Sequence, residues 1–214
     1  MEELGFWDRM WKHADRERFD ACAARMDGRE DPLIRALKDR GAESVCDAGC
    51  GCGLYALKLA RSGFAVSGFD ISADAALMAR RLLEEQGFPG LAFRPADIRA
   101  TGCAAGRFDA ALARDVIDHL PIREGIAAVT ELLRIVRPGG CVLLTLDRTD
   151  DEYESEPHAV NRDGDYTYTG GKWKGMVFHP YTPDEIERLT RGREARLLAA
   201  GESGFAVILE KERE

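Results

Sequence analysis

Between residues 43 and 147 the chain alternates short apolar runs with longer segments whose apolar positions recur every three to four residues. The short runs predict strands over 44–47, 64–70, 91–95, 108–113 and 141–146. The periodic segments predict helices over 53–62, 73–86 and 122–136. The first helix stops at Gly63, a glycine suited to the left-handed turn that follows a helix. The second starts at a capping Ser72, carries Leu77, Leu82 and Leu83, and ends before Gly87. The third puts Ile122, Ile126, Val129 and Leu133 on one face. Pro138-Gly139-Gly140 marks a turn before the fifth strand. Apolar strands alternating with amphipathic helices describe a parallel sheet covered on both faces, the α/β doubly wound architecture.

The flanks break this rhythm. Residues 1–40 are polar and helical in character, with Trp7, Met10, Trp11 and Phe19 near helical spacing. Such a stripe either packs a cap on the core or covers a ligand mouth. Residues 147–165 are charged and without pattern. Tyr166 to Thr169, Gly170-Gly171-Lys172 and Trp173 to Tyr181 then predict an aromatic β-hairpin. A segment this long without helical periodicity is expected to be a functional lid. Thr182-Pro183-Asp184-Glu185 is a capping box with proline at the first helical position, opening a helix to about Arg191. Strands over 196–200 and 205–209 close the chain around a hairpin at residues 201–204. The expected organisation is therefore one domain over 1–214. It comprises a helical cap (1–40), a ligand-binding core (43–147), a lid (148–181), and a helix with closing strands (182–214).

At 214 residues and 45% hydrophobic content the chain is long enough for one packed domain. Its net charge of −8, without a basic stripe, argues against nucleic acid as a partner. The apolar runs are strand-sized, so no membrane span is expected, and Met1-Glu2-Glu3 is acidic where a signal peptide is basic. The six cysteines include Cys46, Cys50 and Cys52 in one turn, but C-x-x-x-C-x-C makes a poor zinc cage. No metal is expected, and the location implied is cytoplasmic, with free thiols. The partner implied is a small molecule, with the protein a monomer or homodimer.

The chemistry concentrates at Asp47-Ala48-Gly49-Cys50-Gly51-Cys52-Gly53, between the first strand and the first helix. Such a loop lets a ligand touch bare backbone at a helix N-terminus. A dinucleotide fingerprint requires G-x-G-x-x-G, and Leu54 stands where its third glycine belongs. No phosphate-cradling P-loop sequence is present. Asp47 two places before the first glycine suits a cation better than a pyrophosphate. Asp70 ends the second strand, 17 residues after Gly53, and its two oxygens can accept both hydroxyls of a ribose. Asp97 follows the third strand, next to apolar Ile98. All three carboxylates lie where ligands bind in an open parallel sheet.

The D-x-G-x-G-x-G loop resembles motif I of the class I S-adenosylmethionine-dependent methyltransferases. Phe69-Asp70-Ile71-Ser72, Ala96-Asp97-Ile98, Phe108-Asp109-Ala110 through Asp118-His119-Leu120, and Arg137-Pro138-Gly139-Gly140 resemble its later motifs in order. The resemblance implies a mainly parallel seven-stranded sheet of order 3-2-1-4-5-7-6, with an antiparallel last strand and a lid insertion after strand 5. It implies S-adenosyl-L-methionine as cofactor and methyl transfer to a small molecule. Gly49, Cys50, Gly51 and Gly53 would face its methionine and ribose, Asp70 with Ile71 the ribose, and Asp97 with Ile98 the adenine. Asp47 and the backbone at Arg114 would hold its ammonium, with Asp115 and His119 close by. As structural alternatives, Asp115 is a helix cap and Asp118 a partner of a helix dipole. Methyl transfer needs a general base only where the acceptor is protonated. Candidates are His119, Asp115, Tyr168, His179 and Tyr181. Two other readings stay open: an NAD-dependent oxidoreductase and a non-catalytic S-adenosylmethionine-binding module.

Overall fold

The computed structural model describes residues 2–25, 31–190, 193, 195–200 and 204–213. Helices α1 (Glu2–Lys12), α2 (Arg16–Arg25) and α3 (Pro32–Asp39) come first. The core follows as β1 (Ser44–Ala48), α4 (Leu54–Arg61), β2 (Ala65–Asp70), α5 (Ala73–Glu85), β3 (Phe93–Pro95), β4 (Phe108–Arg114), α6 (Ile122–Ile135) and β5 (Val136–Asp147). An insertion holds α7 (Asp151–Ser155), β6 (His158–Val160), β7 (Tyr166–Tyr168) and β8 (Val177–Phe178). The chain closes with α8 (Pro183–Leu189), β9 (Ala195–Ala200) and β10 (Gly204–Glu210).

The large sheet has the order β3-β2-β1-β4-β5-β10-β9. Counted within that sheet alone, this is 3-2-1-4-5-7-6, as the resemblance implies. The first five strands are parallel, and β10 runs antiparallel to both β5 and β9. Alternate residues of each strand serve opposite faces. Cys46 and Ala48 pack with Leu132, Ile135 and the rest of the α6 side. Val45 packs with Leu37, Leu57 and Leu83 from α3, α4 and α5. Both faces are thus apolar, which is why the strands lack a polar alternation. Among the described residues no helix is long and apolar enough to cross a membrane.

Three expectations change. The single N-terminal helical cap is three helices, with Asp31 capping α3 by accepting from Ile34 N at 2.9 Å. Pro138-Gly139-Gly140 lies inside β5, as an irregularity between Val136 and Cys141. A Cβ on Gly140 would sit 2.3 Å from the carbonyl oxygen of Asp109, so only glycine allows this approach. The charged stretch 147–165 is structured, contributing α7 and β6, so the expected two-stranded hairpin is a three-stranded sheet, β6-β7-β8. Side chains build it. Asp150 accepts from the backbone of Glu152 and Tyr153, and Asn161 Oδ1 accepts from that of Asp163 and Asp165. Such local caps leave no mark in hydrophobic periodicity. The Thr182–Glu185 capping box forms as predicted. Residues 191 and 201–203, where the helix end and the hairpin tip were expected, lie outside the described residues.

Candidate functional site

A cavity of about 680 Å³ opens beyond the carboxyl ends of β1, β2 and β4. This is where ligands bind in open α/β sheets. Its floor is the glycine loop. Gly49, Gly51 and Gly53 have φ of 78°, 52° and 87°, all left-handed. Gly49 and Cys50 donate their N–H groups to the Phe69 carbonyl at 2.8 and 2.9 Å, tying the loop to β2. The N-terminus of α4 beyond it has no side-chain cap.

The glycines divide by task. Gly49, Cys50 and Gly51 line the cavity. Gly53 does not. A Cβ there would lie 2.7 Å from Ala79 Cα, so Gly53 lets α5 pack against the loop. A Cβ on Gly51 would lie 2.9 Å from Trp11, and one on Gly49 2.5 Å from Val116. The indole of Trp11 is thus seated directly on the loop.

Asp47, Asp70, Ile71, Asp97, Ile98, Arg114, Asp115 and His119 all line the cavity. Asp47 is 2% exposed, and its Oδ2 has no hydrogen-bond partner. Burial pushes its carboxyl up to about 7, against the pull of Arg114. Asp70 is raised too, by burial. Its Oδ1 accepts from Ser72 N at 2.9 Å and its Oδ2 from Gly51 N at 2.8 Å, leaving a second lone pair on each oxygen. Asp97 is not the free acceptor expected. The Arg99 guanidinium grips it at 2.7–3.1 Å and holds its carboxyl below the ordinary range, while also pairing with Glu124. Arg114 lies over the Tyr55 ring at 5.2 Å and pairs with Asp115 at 3.3 Å.

Asp115 is not a helix cap. It has φ of 54°, the one left-handed non-glycine among the described residues, and its Oδ1 accepts from Thr145 Oγ1 at 2.5 Å. Left-handed strain at a cavity wall is the kind of cost that functional sites retain. Asp118 is fully buried, in the first turn of a short 3₁₀ helix over Ile117–His119. Its Oδ2 accepts from Asp147 N at 3.0 Å, and its Oδ1 has no partner. Burial raises Asp118 to about 7, and raises Asp147 to about 6 with added repulsion from Asp115.

Three catalytic candidates stand away from the cavity lining. Tyr168 is 1% exposed, packs with Phe6, Met176 and Phe178, and donates to the Tyr153 carbonyl at 3.2 Å. His179 pairs with buried Asp165 at 2.8 Å. Tyr181 fills the core under α6, where a Cβ on Gly125 would meet its hydroxyl at 2.4 Å. The pleat explains Tyr168. Thr167 and Val177 pair across β7 and β8 and both line the cavity, whereas their neighbours Tyr168 and Phe178 are buried in the aromatic cluster. The cavity's aromatic cover comes from the N-terminus: Trp7, Trp11 and Phe19 line it. Sequence reading also missed Tyr55, Arg99, Glu124, Thr167 and Val177. Strand alternation is the signal that pointed to the last two.

Residues 45–140 match the family model described as a methyltransferase domain. A relative named ubiquinone biosynthesis O-methyltransferase, from Caulobacter vibrioides, is 34% identical over 158 residues, 67% of this chain and 59% of that protein. The chain spans about half the length of the curated relatives it matches. Among solved structures, a SAM-dependent methyltransferase from Methanosarcina mazei superposes with a TM-score of 0.71 at 21% identity, covering 86% of this chain and 99% of that one. The Burkholderia thailandensis 1,6-didemethyltoxoflavin-N1-methyltransferase, solved with 1,6-didemethyltoxoflavin and S-adenosylhomocysteine, superposes with 0.68 at 18% identity, covering 98% and 87%. At such identities the structural likeness is one of fold.

Proposed function

We propose that the chain is a class I S-adenosylmethionine-dependent methyltransferase that binds S-adenosylmethionine in this cavity and methylates a small-molecule acceptor. One observation carries the assignment of the cofactor's place: the buried, unpartnered Oδ2 of Asp47 at the cavity wall. An orphaned buried acceptor is costly and calls for a donor. An ammonium group supplies one, with charge. The other residues fit the same ligand. Asp70 keeps two free lone pairs for ribose hydroxyls, Gly49 and Gly51 expose bare backbone, and Ile71 and Ile98 offer an apolar surface for a purine.

When bound, the sulfonium supplies a methyl carbon open to in-line attack by a nucleophile. The chain's own residues bind, orient and exclude water. Trp7, Trp11 and Phe19 cover the mouth from the N-terminal side, and Thr167 and Val177 from the insertion.

Calorimetric titration tests the reading. The protein should bind S-adenosylmethionine and S-adenosylhomocysteine and should not bind NADH. Asp70→Ala should weaken S-adenosylhomocysteine by about 1.5–3 kcal/mol, the range for hydrogen bonds to a charged acceptor. Because Asp70 holds Gly51 N on one oxygen and Ser72 N on the other, Asp70→Asn serves as the companion that keeps the side chain's size and one of these two bonds. An unchanged dissociation constant in both folded variants sinks the ribose assignment, and NADH binding sinks the reading as a whole.

A further inference from the structure

The far end of the cavity contains groups that the cofactor assignment leaves unused. Trp7 of α1, Leu120 and Val177 of β8 give it apolar walls, with the indole presenting a flat π surface. His119 stands among them, edge-to-face with Trp7 at 4.9 Å between ring centres. Its Nδ1 lies 3.4 Å from the carbonyl oxygen of Val177. A carbonyl only accepts, so Nδ1 carries the proton and, in the neutral ring, Nε2 keeps the lone pair. Burial lowers the ring's proton affinity and favours that neutral form.

The surroundings of this ring are anionic. Asp115 lines the cavity, and Asp147 and buried Asp118 stand behind it, linked through the Asp147 N–H. Asp115 and Asp147 both act on His119 in the direction that favours its protonated form. The cation facing this group is Arg114, already paired with Asp115 and stacked over Tyr55. Asp115, and Asp147 above its raised pKa of about 6, already face one arginine, and the burial that raises Asp118 and Asp147 shows how little room is left for another negative charge. These carboxylates do leave room for a positive charge that appears on His119 during reaction.

Resting on the cofactor assignment above, we infer that the acceptor is a planar, uncharged aromatic compound bearing an O–H or N–H, bound against Trp7 and Val177, and that His119 Nε2 takes its proton. The step balances without another reactant. The acceptor's heteroatom forms a bond to the methyl carbon as the carbon–sulfur bond breaks, and that bond's electron pair returns to sulfur as a neutral thioether. The acceptor's proton passes to His119, and the imidazolium loses it to water afterwards. Asp115 and Asp147 stabilise the imidazolium in between. His119 is a catalytic residue in this scheme, and Trp7 a specificity residue.

The experiment uses protein saturated with S-adenosylhomocysteine and two matched pairs of probes. These are 2-naphthol with 6-hydroxy-2-naphthoate, and benzimidazole with benzimidazole-5-carboxylate. At least one uncharged member should bind in calorimetry, at least tenfold tighter than its carboxylated twin. Trp7→Ala should weaken it at least tenfold while S-adenosylhomocysteine affinity stays within about threefold. Nitrogen-15 spectra of the four histidines should include a neutral ring at pH 7 with Nδ1 protonated whose signal is lost in His119→Gln and thereby assigned to His119. With S-adenosylmethionine, methyl transfer to the bound probe should fall about 10²–10⁴-fold in His119→Gln. Equal or tighter binding of the carboxylates overturns the inference, as does no binding of either uncharged probe to the loaded protein. So does an Nε2-protonated ring, or a fully active His119→Gln. Failure to bind S-adenosylhomocysteine at all is a different result: it removes the cofactor assignment instead.

Discussion

The glycine loop and the cover above it line the same cavity, yet they are specified in opposite ways. The loop works through its backbone. Left-handed φ at Gly49 and Gly51, and two N–H groups fixed on the Phe69 carbonyl, create a surface that side chains would fill. The cover works through side chains that distant parts of the chain bring together. Phe6 of α1 packs with Tyr168, Met176 and Phe178 of the insertion, and Arg9 donates to the Lys174 carbonyl at 3.2 Å. A local backbone requirement leaves a local sequence record. A tertiary cluster leaves only a set of aromatic residues whose facing is undetermined until the sheet forms.

The harshest way to break the comparison is to give the loop a side chain. Gly51→Val places a branched residue at φ 52°, with its Cβ 2.9 Å from the Trp11 ring. The backbone strain and the clash act together. S-adenosylhomocysteine affinity should fall more than about 100-fold, beyond about 2.7 kcal/mol, while circular dichroism still reports a folded core. Trp11 fluorescence should change as well, because the indole loses its seat. Tight binding in a folded variant would show that the loop's bare backbone is not the contact surface.

That loop, the strand order and the capping box were legible because each depends on neighbours in sequence. Asp47, Asp70 and Ser72 stand at strand and helix ends that hydrophobic periodicity marks well. Gly53 carries a packing requirement that its spacing does not announce. Its spacing matches the loop pattern, but the atoms it accommodates belong to Ala79, 26 positions further along the chain. Asp97 was legible as a cavity residue and not as an ion pair, since only the fold turns Arg99 back onto it and brings Glu124 to the same guanidinium. Tyr168, His179 and Tyr181 were selected as polar aromatics in a lid. The pleat turns Thr167 and Val177 inward and leaves Tyr168 and Phe178 as filling, while His179 and Tyr181 lie beyond β8, held by Asp165 and by the core under α6. Composition names the residues of a strand, and only register says which face they take.

A gentler probe of the loop half uses protons. Asp47 is buried, and its carboxyl is raised to about 7 in the free protein. Binding an ammonium beside it requires the carboxylate, so binding must expel a proton wherever Asp47 is protonated beforehand. The sign follows: affinity for S-adenosylhomocysteine should rise as pH increases from about 5.5 toward the raised pKa and level off above it. The slope should approach tenfold per pH unit at the acid end, about 1.36 kcal/mol. Calorimetry in buffers of different ionisation heat should detect the released proton below pH 7. Asp47→Asn should flatten the profile and lower affinity at pH 8. A flat wild-type profile would leave the unpartnered Oδ2 without a role in ligand binding.

The smallest expected effect sharpens the cover half. Tyr168 was a catalytic candidate, and its hydroxyl instead donates to the Tyr153 carbonyl at 3.2 Å inside the aromatic cluster. Removing that hydroxyl leaves the ring, and with it the contacts to Phe6 and Phe178. Tyr168→Phe should therefore cost about 0.5–1.5 kcal/mol of stability, the net worth of one neutral hydrogen bond, seen as a small fall in the unfolding midpoint. S-adenosylhomocysteine affinity should not change, and neither should methyl transfer to any acceptor found for the protein. Tyr168→Ala, by contrast, would empty the cluster that joins α1 to the insertion, and its loss of activity would report packing and not chemistry. The phenylalanine variant separates the two. A Tyr168→Phe protein of near-normal stability that had lost methyl transfer would return this hydroxyl to the reaction, and the distinction drawn between cavity-facing Thr167 and buried Tyr168 would be wrong.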